Sequence, residues 1–305
     1  MSAFIQTDKL TKSYGKSRGI LDVTFEVQQG AVFGFLGPNG AGKTTAMRTL
    51  MGLLRPTSGN ATIGGLDCWK QSTAVKTLVG YLPGEFTFDA GMRGGQIIEY
   101  LGHLRGGVDQ TYVRNLVERL GFDPTKRFRE YSRGNKQKLG LVQAFMHKPR
   151  LLILDEPTSG LDPLNQQEFY QMLSEVRTQG CTTFLSSHVL PEVEHTCERV
   201  AIIREGKLVR IGHVSELKEV QQHDVELSFA APARAEWFGG LRGVSKVTAG
   251  HNERSVRLVV QGDLKEILKV ASQHEATTIV TYEPTLEEIF LRYYESEQPT
   301  FSIAR

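Results

Sequence analysis

The chain has 305 residues, 40% hydrophobic and 23% charged, which leaves ample apolar material for two packed domains of an ordinary water-soluble protein. A formal net charge of +2 argues against an extended nucleic-acid footprint. Cys68, Cys181 and Cys197 are scattered and odd in number, the pattern of free thiols in a reducing cytosol and not of a disulfide framework or metal site. The N-terminus has no basic-then-apolar signal segment and no apolar run approaches about 18 residues, so the chain is not expected to span a membrane.

Residues 3–7, 21–28 and 31–36 read as strands, with Gln29-Gly30 turning between the last two. The third leads into Gly37-Pro38-Asn39-Gly40-Ala41-Gly42-Lys43-Thr44, which fits G-x-x-x-x-G-K-[ST] at every fixed position. Each residue type answers a need of a polyphosphate. The glycines let the backbone turn its N–H groups inward, Lys43 can reach the β- and γ-phosphates, and the Thr44 hydroxyl can sit on Mg²⁺. A helix from Thr44 to Leu53, with Thr45 in its first turn, would aim its positive end at the phosphates.

Residues 55–60 break the pattern, Ala61 to Ile63 resumes as a strand, and Leu78 to Leu82 is another, running into Pro83-Gly84-Glu85-Phe86. Helical spacing covers Gln96–Leu104 and Thr111–Leu120, and a further helix runs from Asn135 to Met146 behind Ser132-Arg133-Gly134. Leu151 to Leu154 is an apolar strand ending in Asp155-Glu156, two carboxylates at the edge where open α/β sheets bind ligands. Asp155 suits Mg²⁺, and Glu156 suits the orientation or deprotonation of an attacking water. Asp162-Pro163 starts a helix, Thr182 to Leu185 is a strand delivering His188 to the sheet edge, and residues 200–203 with 208–211 form a hairpin.

From about residue 219 the pattern changes. Strand-like alternation at Val225–Phe229, Val256–Val260 and Ala276–Tyr282 interleaves with a short helix around Arg234–Phe238 and a longer one over Asp263–Gln273. That order suggests a small ferredoxin-like α+β layer, with one more helix opening at a Thr285–Glu288 capping box, carrying the stripe Leu286, Ile289, Phe290 and Tyr293, and a loose tail from Glu295. The expected division is residues 1–218 and 219–305.

Ser132-Arg133-Gly134-Asn135 resembles the Leu-Ser-Gly-Gly-Gln signature of ATP-binding cassette (ABC) ATPases, and it stands between the phosphate loop and Asp155-Glu156 as that family requires. Pro157-Thr158-Ser159-Gly160-Leu161-Asp162 resembles the family's D-loop, Ser186-Ser187-His188 its switch histidine, and Tyr14 the aromatic ring that stacks on adenine. The resemblance implies an α/β P-loop NTPase domain with a helical subdomain, binding ATP and Mg²⁺. It assigns catalysis to Glu156 and His188 and the metal to Thr44 and Asp155. Nucleotide contacts fall to Tyr14, residues 37–45, Ser132, Gly134 and Asp162, with Ser132 and Gly134 serving the opposite subunit.

The bacterial drug- and polymer-export ATPases of this family are the nearest pattern. They imply a head-to-tail dimer, of like or related copies, at the inner face of the cell membrane, driving a separate multi-span permease whose coupling helix seats in the helical subdomain. Phe86 and Phe88 are candidate contacts there or inward-packed residues. Two features depart from the family: Arg133 and Asn135 replace a glycine and a glutamine of the signature, and Gly84 stands at the Q-loop glutamine, with Glu85 beside it. The alternatives are a ribosome- or DNA-associated ATPase of the same family, lacking here the second cassette or long coiled coil such proteins carry, and a ligand-binding regulator with little turnover.

Overall fold

The computed structural model describes residues 3–15, 17–219, 223–250, 252–260 and 262–282. It divides into two compact units, one ending at His213 and one beginning at Val214. The sequence-based boundary at 218/219 falls at the far end of a short helix, Val214–Glu219, which groups with the second unit.

The first unit opens with β1 (Ala3–Tyr14), β2 (Ser17–Gln28) and β3 (Val32–Leu36), followed by α1 (Lys43–Leu50), β4 (Ser58–Ile63), β5 (Leu66–Asp67), α2 (Ser72–Leu78) and β6 (Val79–Leu82). Then come α3 (Gly94–Leu104), α4 (Gln110–Arg119), α5 (Arg133–Phe145), β7 (Leu151–Asp155), α6 (Pro163–Thr178), β8 (Thr182–Ser187), α7 (Leu190–Thr196), β9 (Arg199–Arg204) and β10 (Lys207–His213). A six-stranded sheet has the order β10-β9-β3-β8-β7-β6, parallel throughout except for the β9–β10 hairpin. Strands β3, β7 and β8 are buried at every position, as expected of parallel strands covered on both faces. The carboxyl ends of β3, β8, β7 and β6 therefore share one edge.

A second sheet, β2-β1-β4-β5, lies over the first. Phe25 of β2 stacks on Phe33 of β3 at 5.6 Å and on Phe184 of β8 at 5.5 Å, so three elements far apart in sequence meet in one aromatic cluster. Strands β1 and β2 are each twelve residues long, well beyond the expected 3–7 and 21–28. Their ladder shifts register at several places, and such bulges break the strict alternation by which a strand is read.

Phe86 and Phe88 turn toward Phe128, with centroid separations of 6.3 and 5.8 Å, and both stay half-buried. Arg119 of α4 donates to Glu168 at 2.5 Å and to both oxygens of Glu175 at 2.6 and 2.8 Å, tying the helical region to α6.

The second unit holds, after that first short helix, α8, the strands β11 (His223–Phe229), β12 (Val244–Ala249), β13 (Ser255–Val260), then α9 (Lys265–Gln273) and β14 (Ala276–Tyr282). Their order β12-β13-β11-β14, all antiparallel, is the ferredoxin-like arrangement expected. One element differs. The helix expected around Arg234–Phe238 is a single 3₁₀ turn, Ala235–Trp237, because Pro232 and Gly239-Gly240 leave too few residues between them to repay helix nucleation. Val225, Leu227, Phe238, Leu258 and Ile267 form its core. The expected Thr285–Glu288 capping box, the stripe to Tyr293 and the tail from Glu295 lie outside the described residues. Among the described residues no helix is long and apolar enough to cross a membrane.

Candidate active site

The phosphate loop leaves β3 and enters α1 through Gly42, whose φ of +111° is closed to most side chains and which a Cβ would push to 2.9 Å from Ile20. Lys43 follows at the helix start. It is 5% exposed, and its Nζ donates to the carbonyls of Gly37 at 2.5 Å and Pro38 at 3.2 Å. The same ammonium lies 3.1 Å from Glu156 Oε1.

Strand β7 ends by placing Asp155 beneath this loop. Asp155 Oδ2 accepts from Thr44 Oγ1 at 2.7 Å, and its Oδ1 accepts from Ser186 Oγ at 2.5 Å. Glu156 comes next, in the left-handed region at φ +54°, a conformation costing a non-glycine residue of order 1–3 kcal/mol and concentrated at active sites. Its Oε2 meets His188 Nδ1 at 2.5 Å. Ser186 steadies the turn from the neighbouring strand, since the Glu156 N–H faces both its carbonyl and its hydroxyl at 3.2 Å. From the other side Gln137 of α5 donates through Nε2 to the carbonyls of Glu156 and Pro157, at 3.0 and 2.8 Å.

Lys43, Thr44, Asp155, Glu156 and His188 border one cavity of about 480 Å³, which Ser186 and Gln137 do not line. Pro38, Asn39, Gly40, Gly42, Lys43, Thr44, Thr45, Asp155, Glu156 and His188 line it as the sequence suggests. Gly37 and Ala41 are buried within the loop that forms its wall. Tyr14, 43% exposed at the end of β1 with Lys12 over its ring, does not reach the cavity. Ser132, Gly134 and Asp162 also stand outside it. Ser132 caps α5 by accepting from the Asn135 N–H, and Asp162 caps α6 by accepting from that of Asn165.

One contributor escapes a reading by motif: Arg48, one turn beyond Thr44 on α1, lines the cavity. Glu85, Arg133 and Ser159, which stand in the motifs without being assigned to the site, line it as well. Arg133 donates to Ser159 Oγ at 2.7 Å, so the residue that departs from the signature holds the turn that follows Glu156. Gly84 sits directly against Asp155, where a Cβ would come 3.2 Å from Oδ2. The repeated serines at 186–187 were the available signal for Ser186; nothing local marks Gln137.

The ABC transporter family pattern matches residues 20–159. The bacitracin transport ATP-binding protein of Enterococcus faecalis is 39% identical over 220 residues, covering 71% of each chain. The linearmycin resistance ATP-binding protein of Bacillus subtilis is 29% identical and spans 94% of this chain and 97% of its own. Among solved structures, an ATP-binding subunit of an ABC transporter is 26% identical with a TM-score of 0.66, covering 70% of this chain and 92% of that one. A dimeric post-hydrolysis ATP-binding cassette bound to ADP and Pi, 17% identical, has a TM-score of 0.62 over 69% of this chain and 98% of that one, a likeness of fold.

Proposed function

Because the chain belongs to the ABC transporter family and is the ATPase of a membrane transporter, we propose that it works as a head-to-tail dimer beneath a separate multi-span permease, driving export. The single observation that carries the catalytic reading is the placement of Glu156 between Lys43 and His188, at 3.1 and 2.5 Å, over the carboxyl edge of the sheet.

In this reading Lys43 exchanges its loop carbonyls for β- and γ-phosphate oxygens, and the α1 N-terminus adds its N–H groups. Glu156 orients water for attack on the γ-phosphorus and receives its proton as the bond to ADP breaks. His188 holds the carboxylate of Glu156 in place and reaches the γ-phosphate. The donor set fits Mg²⁺: a hydroxyl on Thr44 and a carboxylate on Asp155, already 2.7 Å apart, are hard oxygen ligands, and the metal would neutralise phosphate charge. Ser132 and Gly134, which stand outside their own cavity, serve the partner's nucleotide at the N-terminus of α5, and Asp162 and Tyr14 complete the set.

The permease contact falls on a second cavity, of about 800 Å³, in the helical region. Leu53, Phe86, Phe88, Leu101 and Leu104 give it an apolar wall, and Leu104 is 65% exposed. A short amphipathic helix from the membrane subunit suits that wall. In this reading the chain works at the inner face of the membrane through its partner. The relatives of bacitracin transport and linearmycin resistance support an exporter as the class.

Tagged Glu156→Gln chain, captured from detergent-solubilised membranes with ATP and Mg²⁺, should bring down a multi-span membrane protein in stoichiometric amount. Recovery of ribosomes or DNA-associated proteins in its place would overturn the transport reading.

A further inference from the structure

A carboxyl group outside the cavity faces Glu156 and His188 from behind. Glu192 lies in the first turn of α7 and is 2% exposed. Its Oε2 accepts from Ser187 Oγ at 2.6 Å, and that hydroxyl accepts in turn from the Val189 N–H at 2.9 Å. The two bonds grip the backbone on both sides of His188. The Thr158 side chain, two residues past Glu156, is a close neighbour, but Glu192 Oε1 is buried with no hydrogen-bond partner. One buried carboxyl thus fixes the turn that carries the histidine and lies beside the turn that carries the glutamate.

The charged groups facing it are Glu156, which opposes its ionisation, and His188, which favours it. Tyr170 of α6 and the thiol of Cys197 are the remaining titratable neighbours. Burial is the largest influence and pushes the Glu192 carboxyl up to about 7. As a neutral acid it fits its surroundings. As an anion it is a poorly compensated buried charge behind Glu156.

We propose that Glu192 is a positioning residue for ATP hydrolysis: through Ser187 it clamps the turn that carries His188 and so keeps His188 at hydrogen-bonding distance from Glu156. The proposal rests on the reading of Glu156 and His188 as the working pair. It predicts an effect on turnover and not on nucleotide affinity, because Glu192 does not line the cavity that holds the phosphate loop. It also predicts that turnover changes as the carboxyl ionises.

The test is steady-state phosphate release by the full chain from pH 5.5 to 9, for wild type, Glu192→Gln, Glu192→Ala and Glu156→Gln, with nucleotide binding measured in parallel. Glu192→Ala should lower kcat about 10- to 100-fold, the scale of a misplaced catalytic group, with KM for ATP nearly unchanged. Glu192→Gln, which imitates the neutral acid, should restore most of kcat below neutrality and lose the inflection near 7. Glu192→Ala and Glu192→Gln with wild-type kcat and pH profile, beside an inactive Glu156→Gln, would overturn the clamp alone. A normally active Glu156→Gln would instead remove the working pair, and the clamp would fall with it. If Glu192→Ala does not fold, the Glu192→Gln profile still decides: superposition on wild type overturns the proposal.

Discussion

Lys43 and Glu156 meet across 3.1 Å, yet the two charges serve different steps, and substitution should separate them. Lys43→Ala removes the cation that faces the phosphates, so nucleotide titration should find binding lost. Glu156→Gln keeps the shape of the side chain and its contact with His188 while removing the base. It should bind ATP normally and lose turnover by about 100- to 10,000-fold, the range for general acid–base catalysis. Near-normal turnover in that variant would remove Glu156 as the base. Both residues were legible in the chain because each sits in a contiguous pattern, a glycine-rich loop and a strand ending in two acids. Ser186, Gln137 and Glu192 were not, because their roles exist only once β7, β8, α5 and α7 are brought together. Arg133 was visible as a departure from the signature, but its bond to Ser159 depends on the fold.

At the scale of elements, the site depends on four parallel strands ending at one edge, and the aromatic cluster behind β3 and β8 fixes their spacing. Phe25→Ala should cost about 3–5 kcal/mol, the usual loss for a buried phenylalanine, measurable by denaturant titration. The joint between α5 and β6 is pH-sensitive. His147, just past α5, faces the Val79 carbonyl at 3.2 Å through Nε2, and its buried Nδ1 has no partner. Burial first, then the Arg105 charge, hold its pKa down at about 4, below its ordinary 6.5. The unfolded chain therefore takes up this proton before the folded one does. The stability it contributes is complete above 6.5, falls as pH drops, and is gone below about 4. His147→Gln should flatten that acid loss in thermal melts at pH 4 to 7; an unchanged slope would show that other groups set it. Helices with long amphipathic stripes were legible within a residue or two. Strands β1 and β2 were read short because bulges interrupt their alternation, and α2 and α7 are seven-residue helices too short to display a period.

Among the described residues of the whole molecule, one hydrophobic cluster of the first unit is built on Phe25, Phe33 and Phe184, and another in the second unit on Leu227, Phe238 and Leu258, with no residue in common. Length and the change of pattern after about residue 219 made two domains legible, while the residue at which they part, His213, was not, since a short helix fits either side equally well in sequence. Every cavity-lining residue of the candidate active site lies before His213. A chain ending at His213 should therefore unfold cooperatively by calorimetry and bind ATP within about twofold of the full chain, the spread expected of independent sites. Among the described residues, the second unit contributes no lining residue of that cavity, so its removal should leave the affinity of a single chain for ATP unchanged. Any part it has in pairing or in contact with the permease would appear only as a change in the protein-concentration dependence of turnover or in permease capture. If the shortened chain folds but loses ATP affinity, the second unit shapes the nucleotide site, and the assignment of that site to the first unit alone is wrong.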